Sequence, residues 1–273
     1  MNYTRKQFIK SVSAAGTLLL AGGFVSLSAA EVFERRKKVR LRFIVASDGH
    51  YGQPQTPFDN YFNTFTEQAN NFHSENPVDF CVINGDIIHD KPDFLDKAKT
   101  KIDNLVMPYY VTRGNHDMVS AANWNAVWNM ALNHHAVVKN TALILADCSN
   151  EQGKYLSPDL EWMKKQLDKS YKLKNVFIFV HIPQAKWTAN AIDTPQFFEL
   201  LKAYKNIRCV FHGHEHDQDG VRIHNGIPFL FDAHIGGNWG TSYKGFRVVE
   251  IVNDNEVITY MMNPIDRTNE ATY

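Results

Sequence analysis

A chain of 273 residues, 44% hydrophobic and 12% aromatic, is long enough to bury a sizeable core and too apolar to stay disordered. Its 29 basic and 29 acidic side chains balance, so net charge gives no argument for nucleic acid or an anionic membrane surface. Cys81, Cys148 and Cys209 lie in mostly apolar contexts without CxxC spacing, and they read as small buried thiols rather than a disulfide framework.

Residues 1–30 begin with the basic stretch TRKQFIK, continue through an apolar region rich in Gly, Ser and Ala, and end on small residues at Ser28 and Ala30. That order predicts an export signal, leaving residues 31–273 as one domain in the periplasm or outside the cell. Small and polar residues interrupt the apolar region, which argues against a lasting membrane span. TRKQFIK also resembles a twin-arginine signal, with Arg5-Lys6 where two arginines are usual; the general secretory route stays open. The basic run ERRKKVRLR at 34–42 leads directly into a strand and reads as a solvated linker or charged strand entry.

Five apolar runs follow, at 41–47, 78–84, 107–112, 175–180 and 207–211, with helical patterns at 58–75, 92–105 and 157–171 between them. Alternation of this kind predicts an α/β architecture. Ser157 is the expected cap of the third helix, with Pro158 at its first position. From Gly220 onward the pattern is strand and turn, with NDNE at 253–256 as a hairpin; a second, more antiparallel sheet is expected there and near HAVVKNTALILAD at 135–147.

Each of the five runs ends in groups that bind metals: Asp48-Gly49-His50, Asn84-Gly85-Asp86, Gly114-Asn115-His116-Asp117, His181 and His212-Gly213-His214-Glu215-His216. If the strands share one largely parallel sheet, their carboxyl ends share an edge, where ligands bind in open α/β sheets. So many imidazoles and carboxylates at one edge would be costly to desolvate unless cations neutralised them. Mixed oxygen and nitrogen donors suit Mn, Fe or Zn, and they are numerous enough for two ions.

The blocks DGH, NGD, GNHD, His181 and GHEH, in this order across residues 43–216, resemble the calcineurin-like metallophosphoesterases. The resemblance implies a metallo-dependent phosphatase-like fold, a four-layer α/β/β/α sandwich of two mixed sheets. It also implies a two-metal phosphoesterase acting on a small phosphomonoester or phosphodiester, which the signal at residues 1–30 makes an exported one. It assigns one metal to Asp48, His50 and His216 and the other to Asn115, His181 and His214, with Asp86 bridging and His116 as the catalytic acid. The two divalent or trivalent ions would acidify a shared water and clamp phosphoryl oxygens for in-line attack.

Phosphatases of the family often place an Asp three residues after the bridging Asp to orient the catalytic histidine; here that position is His89, followed by Asp90. The GD-x-x-H pattern is like that of the family's repair nucleases, yet the export signal and neutral surface fit poorly with genomic DNA, so no nucleic-acid partner is expected. His89 and Asp117 are candidates for substrate contact or support of the metal ligands, and His212 for support or packing. His234, before Gly236-Gly237, is by default a packing residue that could line the cleft, and Trp124 and Trp128 are expected in the core or on a substrate-selecting rim. The absence of a Tyr at the His89 position and of an evident Arg pair tilts the reading towards diesters. The competing class is a calcineurin-like scaffold that binds protein without catalysis, which would not need His116 and seven ligand positions.

Overall fold

The computed structural model describes residues 39–252 and 256–263, together with segments 16–20 and 23–27 near the N-terminus. In chain order the elements are β1 (Gly16–Leu20), β2 (Gly23–Leu27), β3 (Leu41–Ala46), α1 (Phe58–Glu75), β4 (Phe80–Asn84), α2 (Leu95–Ile102), β5 (Tyr109–Thr112), α3 (Ala121–Trp128), β6 (His134–Val138), β7 (Thr141–Leu145) and α4 (Leu160–Lys169). They continue as β8 (Asn175–Phe179), α5 (Pro195–Lys202), β9 (Ile207–His212), β10 (Val221–His224), β11 (Ile227–Phe231), β12 (Phe246–Ile251) and β13 (Val257–Met262).

The strands form two mixed sheets, as the family resemblance implies, and the five apolar runs divide between them instead of sharing one sheet. The first is seven-stranded, in the order β2-β1-β13-β12-β3-β4-β5; the second is six-stranded, β10-β11-β9-β8-β7-β6. Within the first, β3, β4 and β5 are parallel, and β12 adds antiparallel to β3. In the second, β11, β9, β8 and β7 are parallel, with β10 and β6 antiparallel at the edges. The antiparallel tail therefore divides: β10 and β11 extend the second sheet, whereas β12 and β13 complete the first.

The division follows from strands that are apolar on both faces, since each sheet must be covered twice. Alternate residues Leu41, Phe43 and Val45 of β3 face the other sheet with Phe80, Phe177, Phe179 and Phe211. Phe43 stacks on Phe80 with ring centroids 4.8 Å apart and meets Phe177 edge-on at 5.0 Å. The intervening Ile44 and Ala46 pack outward against Phe62, Phe65 and Ala69 of α1 and against Ala98 and Trp124 of α2 and α3. On the far side Val176, Ile178 and Val210 meet Met163 and Leu167 of α4 and Phe197 and Leu201 of α5. This is the expected α/β/β/α layering; each fully buried Phe or Leu contributes about 1.5–3 kcal/mol. All three cysteines are buried and free, as expected.

Several boundaries differ from the expectations. The helix at 157–171 begins at Leu160: Asp159 is extended, and its carboxylate, not the hydroxyl of Ser157, accepts the Trp162 N–H at 2.9 Å. The 92–105 pattern becomes a short 3₁₀ turn at Pro92–Phe94 followed by α2. The turn residues 253–255 lie outside the described residues, although β12 and β13 pair antiparallel on either side of them. Most of the expected export signal also lies outside the described residues; β1 and β2, within it, pair with each other, and β1 pairs with β13. Among the described residues no helix is long and apolar enough to cross a membrane.

Candidate metal centre

Where β3, β4, β5, β8 and β9 end, the two sheets bring their carboxyl edges together, and the loops there bond to one another. The N–H of Asp48 donates to Gly85 O at 3.0 Å and that of His50 to Asp86 O at 2.9 Å. Across the sheets, the His214 N–H points at both carboxylate oxygens of Asp48, 3.0 Å from each. Asp48, His50, Asp86 and His214 adopt left-handed backbone conformations, with φ of 57°, 46°, 51° and 69°. Such positions cost about 1–3 kcal/mol each and gather where function demands a particular side-chain direction. Gly213 sits in the same crowd: a Cβ there would lie 2.6 Å from Asp48 Oδ2, so only glycine lets the two sheets approach.

Besides a histidine group of His50, His89 and His116, two groups that include a carboxylate result. In the first, His50 Nε2 and His216 Nε2 are 2.9 Å apart, and Asp48 Oδ1 is 3.2 Å from the latter. The second gathers Asp86, His181 and His214, with all three ligand atoms within 4.8 Å of one another. Asp86 Oδ2 lies 3.2 Å from His181 Nε2 and 3.7 Å from His50 Nε2, so one carboxylate oxygen addresses both groups. Its other oxygen accepts the His116 N–H at 2.8 Å. His181 Nδ1 donates to Asn84 O at 2.6 Å, which fixes the tautomer and turns the lone pair of Nε2 inward.

The electrostatics favour positive charge at the site. Burial works against a charge on His181, but Asp86 and Asp48 outweigh it and raise the imidazole to about 10. Burial likewise opposes ionisation of Asp48, yet His216 and His181 bring it down to about 2. His214, with burial and the His181 charge against it, falls to about 4. A buried field this negative holds positive charge, and Asn115 Oδ1, His181 Nε2 and His214 Nε2 are buried with no hydrogen-bond partner. Asp86, His181 and His214 are a donor set that a cation could take in place of the proton on His181, and Asp48, His50 and His216 offer a second set of the same chemistry.

His116 stands at the edge of these groups on the loop after β5. Arg113 clamps that loop: its guanidinium bonds Asp147 at 2.6 and 3.1 Å and the carbonyls of Val119 and Ser149. Asp117 is buried and accepts the N–H groups of Ile88 and Gly114, each at 2.8 Å, so it braces the loop instead of meeting substrate. Burial, then the nearby Asp86 charge, raises it to about 7. His116 Nδ1 lies 2.6 Å from Asp90 Oδ1. Burial disfavours its charge, but Asp86 and the bond to Asp90 prevail and raise the imidazole above its ordinary value.

Two further candidates find places around the ligand groups. The ring of His89 stacks on that of His116 with centroids 5.0 Å apart and an interplanar angle of 7°, and its Nδ1 is 3.1 Å from His50 Nδ1. His212 ends β9 on the outer face, where its Nδ1 bonds Val180 O at 2.7 Å and its ring stacks on Phe229. The strand stops there, so the alternation that would have aligned three histidines is broken at Gly213 and His214. Glu215 faces away and takes the Thr188 hydroxyl.

Trp124 and Trp128 are core residues, not a rim. The aromatic wall comes instead from Trp239, 43% exposed, whose indole stacks on His216 at 4.2 Å, and from Tyr155, which meets His214 edge-on at 4.9 Å. Neither carries a motif; each reaches the site on a loop remote from the five blocks. His234 is buried beside His216, with its Nδ1 against Gly236 O.

A sandwich of two mixed sheets with carboxylate and imidazole clusters on a shared carboxyl edge defines the metallophosphoesterase class. A family model, calcineurin-like phosphoesterase, matches residues 41–218, and the chain belongs to that family. A dimetal phosphatase from Danio rerio shares the fold at a TM-score of 0.68 and 15% identity, over 85% of this chain and 98% of that one. TT1561 of Thermus thermophilus follows at 0.56 and 12%, over 82% and 99%, and the calcineurin-like phosphoesterase YfkN of Bacillus subtilis at 0.53 and 13%, over 83% and 91%. At these identities the likeness speaks for the fold alone. No curated protein matches the sequence.

Proposed function

We propose that the chain hydrolyses a small phosphate ester, a diester by preference, with His116 as the catalytic acid. Asp48, His50 and His216 would hold one transition-metal cation, Asn115, His181 and His214 a second, and Asp86 would serve both. Cations bound there supply acidified water and neutralise charge on phosphoryl oxygens. The observation that carries this reading is Asp86, whose Oδ2 lies within 3.2 and 3.7 Å of one histidine from each group while its Oδ1 holds the His116 backbone.

The residues divide the work. Asn84 O holds His181 in the tautomer that presents Nε2. The Asp90 carboxylate takes Nδ1 of His116, so Nε2 is the atom left to pass a proton to the departing alkoxide oxygen. Arg113, the cation next to this loop in sequence, is engaged by Asp147 and two carbonyls and is withdrawn from any phosphoryl group. A singly charged diester needs less cationic help than a doubly charged monoester, which supports the diester preference. The proposed setting, outside the cytoplasm, rests on the pattern of residues 1–30.

Metal analysis of purified protein, joined to assays on a chromogenic monoester and its matching diester, tests the reading. Two equivalents of metal and faster turnover of the diester are expected. Protein that takes up no metal and cleaves neither ester would overturn it.

A further inference from the structure

His116 and Asp90 are joined twice. The Asp90 N–H donates to His116 O at 2.9 Å, and Asp90 Oδ1 lies 2.6 Å from His116 Nδ1. The first bond fixes the two loops in register and the second then aims the ring. Asp90 is left-handed at φ 65°, a conformation Asp tolerates better than most side chains, and this turns its carboxylate back towards the histidine. The pair is half open, with side-chain exposures of 29% for His116 and 44% for Asp90. An ion pair so exposed adds little to folding stability. Its geometric effect is specific: Nδ1 is engaged and the ring lies flat on His89, which leaves Nε2 as the nitrogen that can meet a substrate.

We propose that Asp90 is the positioning residue for His116, taking from four residues beyond Asp86 the part that His89, at three, does not play. This rests on the hydrolytic reading above. The shift gives His89 a different part. With Nδ1 3.1 Å from His50 Nδ1, it steadies the outer nitrogen of a metal ligand while its face supports His116. His116 is thus held by Asp90 at its Nδ1 and by His89 across its face, and His89 also reaches His50.

The test uses the metal-loaded full chain with Asp90→Ala and Asp90→Asn, alone and combined with His116→Ala. Each is assayed on a nitrophenyl ester, whose leaving group needs little protonation, and on the corresponding alkyl ester. Asp90→Ala is expected to lower kcat on the alkyl ester roughly 10- to 100-fold, a share of what a positioned acid provides. KM and metal content should hold, and the nitrophenyl ester should lose less. Asp90→Asn, which keeps an oxygen acceptor, should recover part of the rate, and Asp90→Ala should cost nothing further in the His116→Ala background. Equal losses on both esters, or a further loss without His116, would overturn the proposal. Imidazole nitrogen NMR gives a readout free of turnover: His116 should carry its proton on Nδ1, and this preference should disappear in Asp90→Ala. An unchanged tautomer defeats the positioning role whether or not any ester is cleaved, whereas a wild type that cleaves neither ester defeats the hydrolytic reading instead.

Discussion

His181 and His216 each hold a ring nitrogen 3.2 Å from a carboxylate oxygen, yet their surroundings differ. His181 is fully buried, its second nitrogen is tied to Asn84 O, and the acceptors around it lack partners. His216 lies under the Trp239 indole, which is 43% exposed and carried on the loop after β11. Both rings are buried, so the same donor chemistry is set in two different surroundings: one closed by backbone, the other roofed by an aromatic ring. The group of Asp48, His50 and His216 is buried throughout, whereas that of Asp86, His181 and His214 includes the half-buried His214.

The sharpest way to break this comparison is Asp86→Ala, which removes the oxygen common to both groups. Both ions should be lost together and hydrolysis should fall by more than about 1,000-fold, since attack and charge stabilisation depend on the pair. Metal content measured beside activity decides it; retention of one full equivalent would show that the groups are independent. His116→Ala should keep both ions and lose roughly 100-fold in turnover. His89→Ala should weaken only the ion at Asp48, His50 and His216, by roughly 10- to 100-fold, as loss of a partner behind a ligand does; stepwise metal titration reads this.

pH separates the loaded and empty states. His181 is raised from 6.5 to about 10, so in chelated protein its stabilising charge is complete below 6.5 and is lost as pH rises through 10. Thermal unfolding of the chelated chain should therefore move to lower temperature across that window, and metal-loaded protein should resist the change. The smallest effect is expected from Trp239→Ala: both ions stay, kcat changes little, and KM rises a few-fold if the indole forms a wall of the cleft.

The five blocks were legible because each closes an apolar run, and Asp48, His50, Asp86, His181, His214 and His216 gather at the same edge. The layering was legible too, through the family resemblance. The distribution of strands was not: residues facing Phe43 from the other sheet and from a neighbouring strand have the same apolar character, so pattern alone does not assign them. Asp90 escaped because its part depends on a left-handed turn that no spacing reveals. Trp239 lies in IGGNWGTSYKG, where a loop's path, not its composition, brings the ring to His216. His212 shows the reverse error, a histidine given apparent meaning by spacing but held on the outer face by Val180 O and Phe229.

Each donor group draws on both sheets: Asp48 and His50 follow β3 while His216 follows β9, and Asp86 follows β4 while His181 follows β8. An ion in either place would therefore act as a rivet through the two layers, adding a removable cross-link to the apolar seam formed by Phe43, Phe177 and Phe211. Removing it would loosen the carboxyl edge first and leave the aromatic seam to hold the rest, so amide exchange should quicken at the ends of β3, β4, β8 and β9 before it does at their centres.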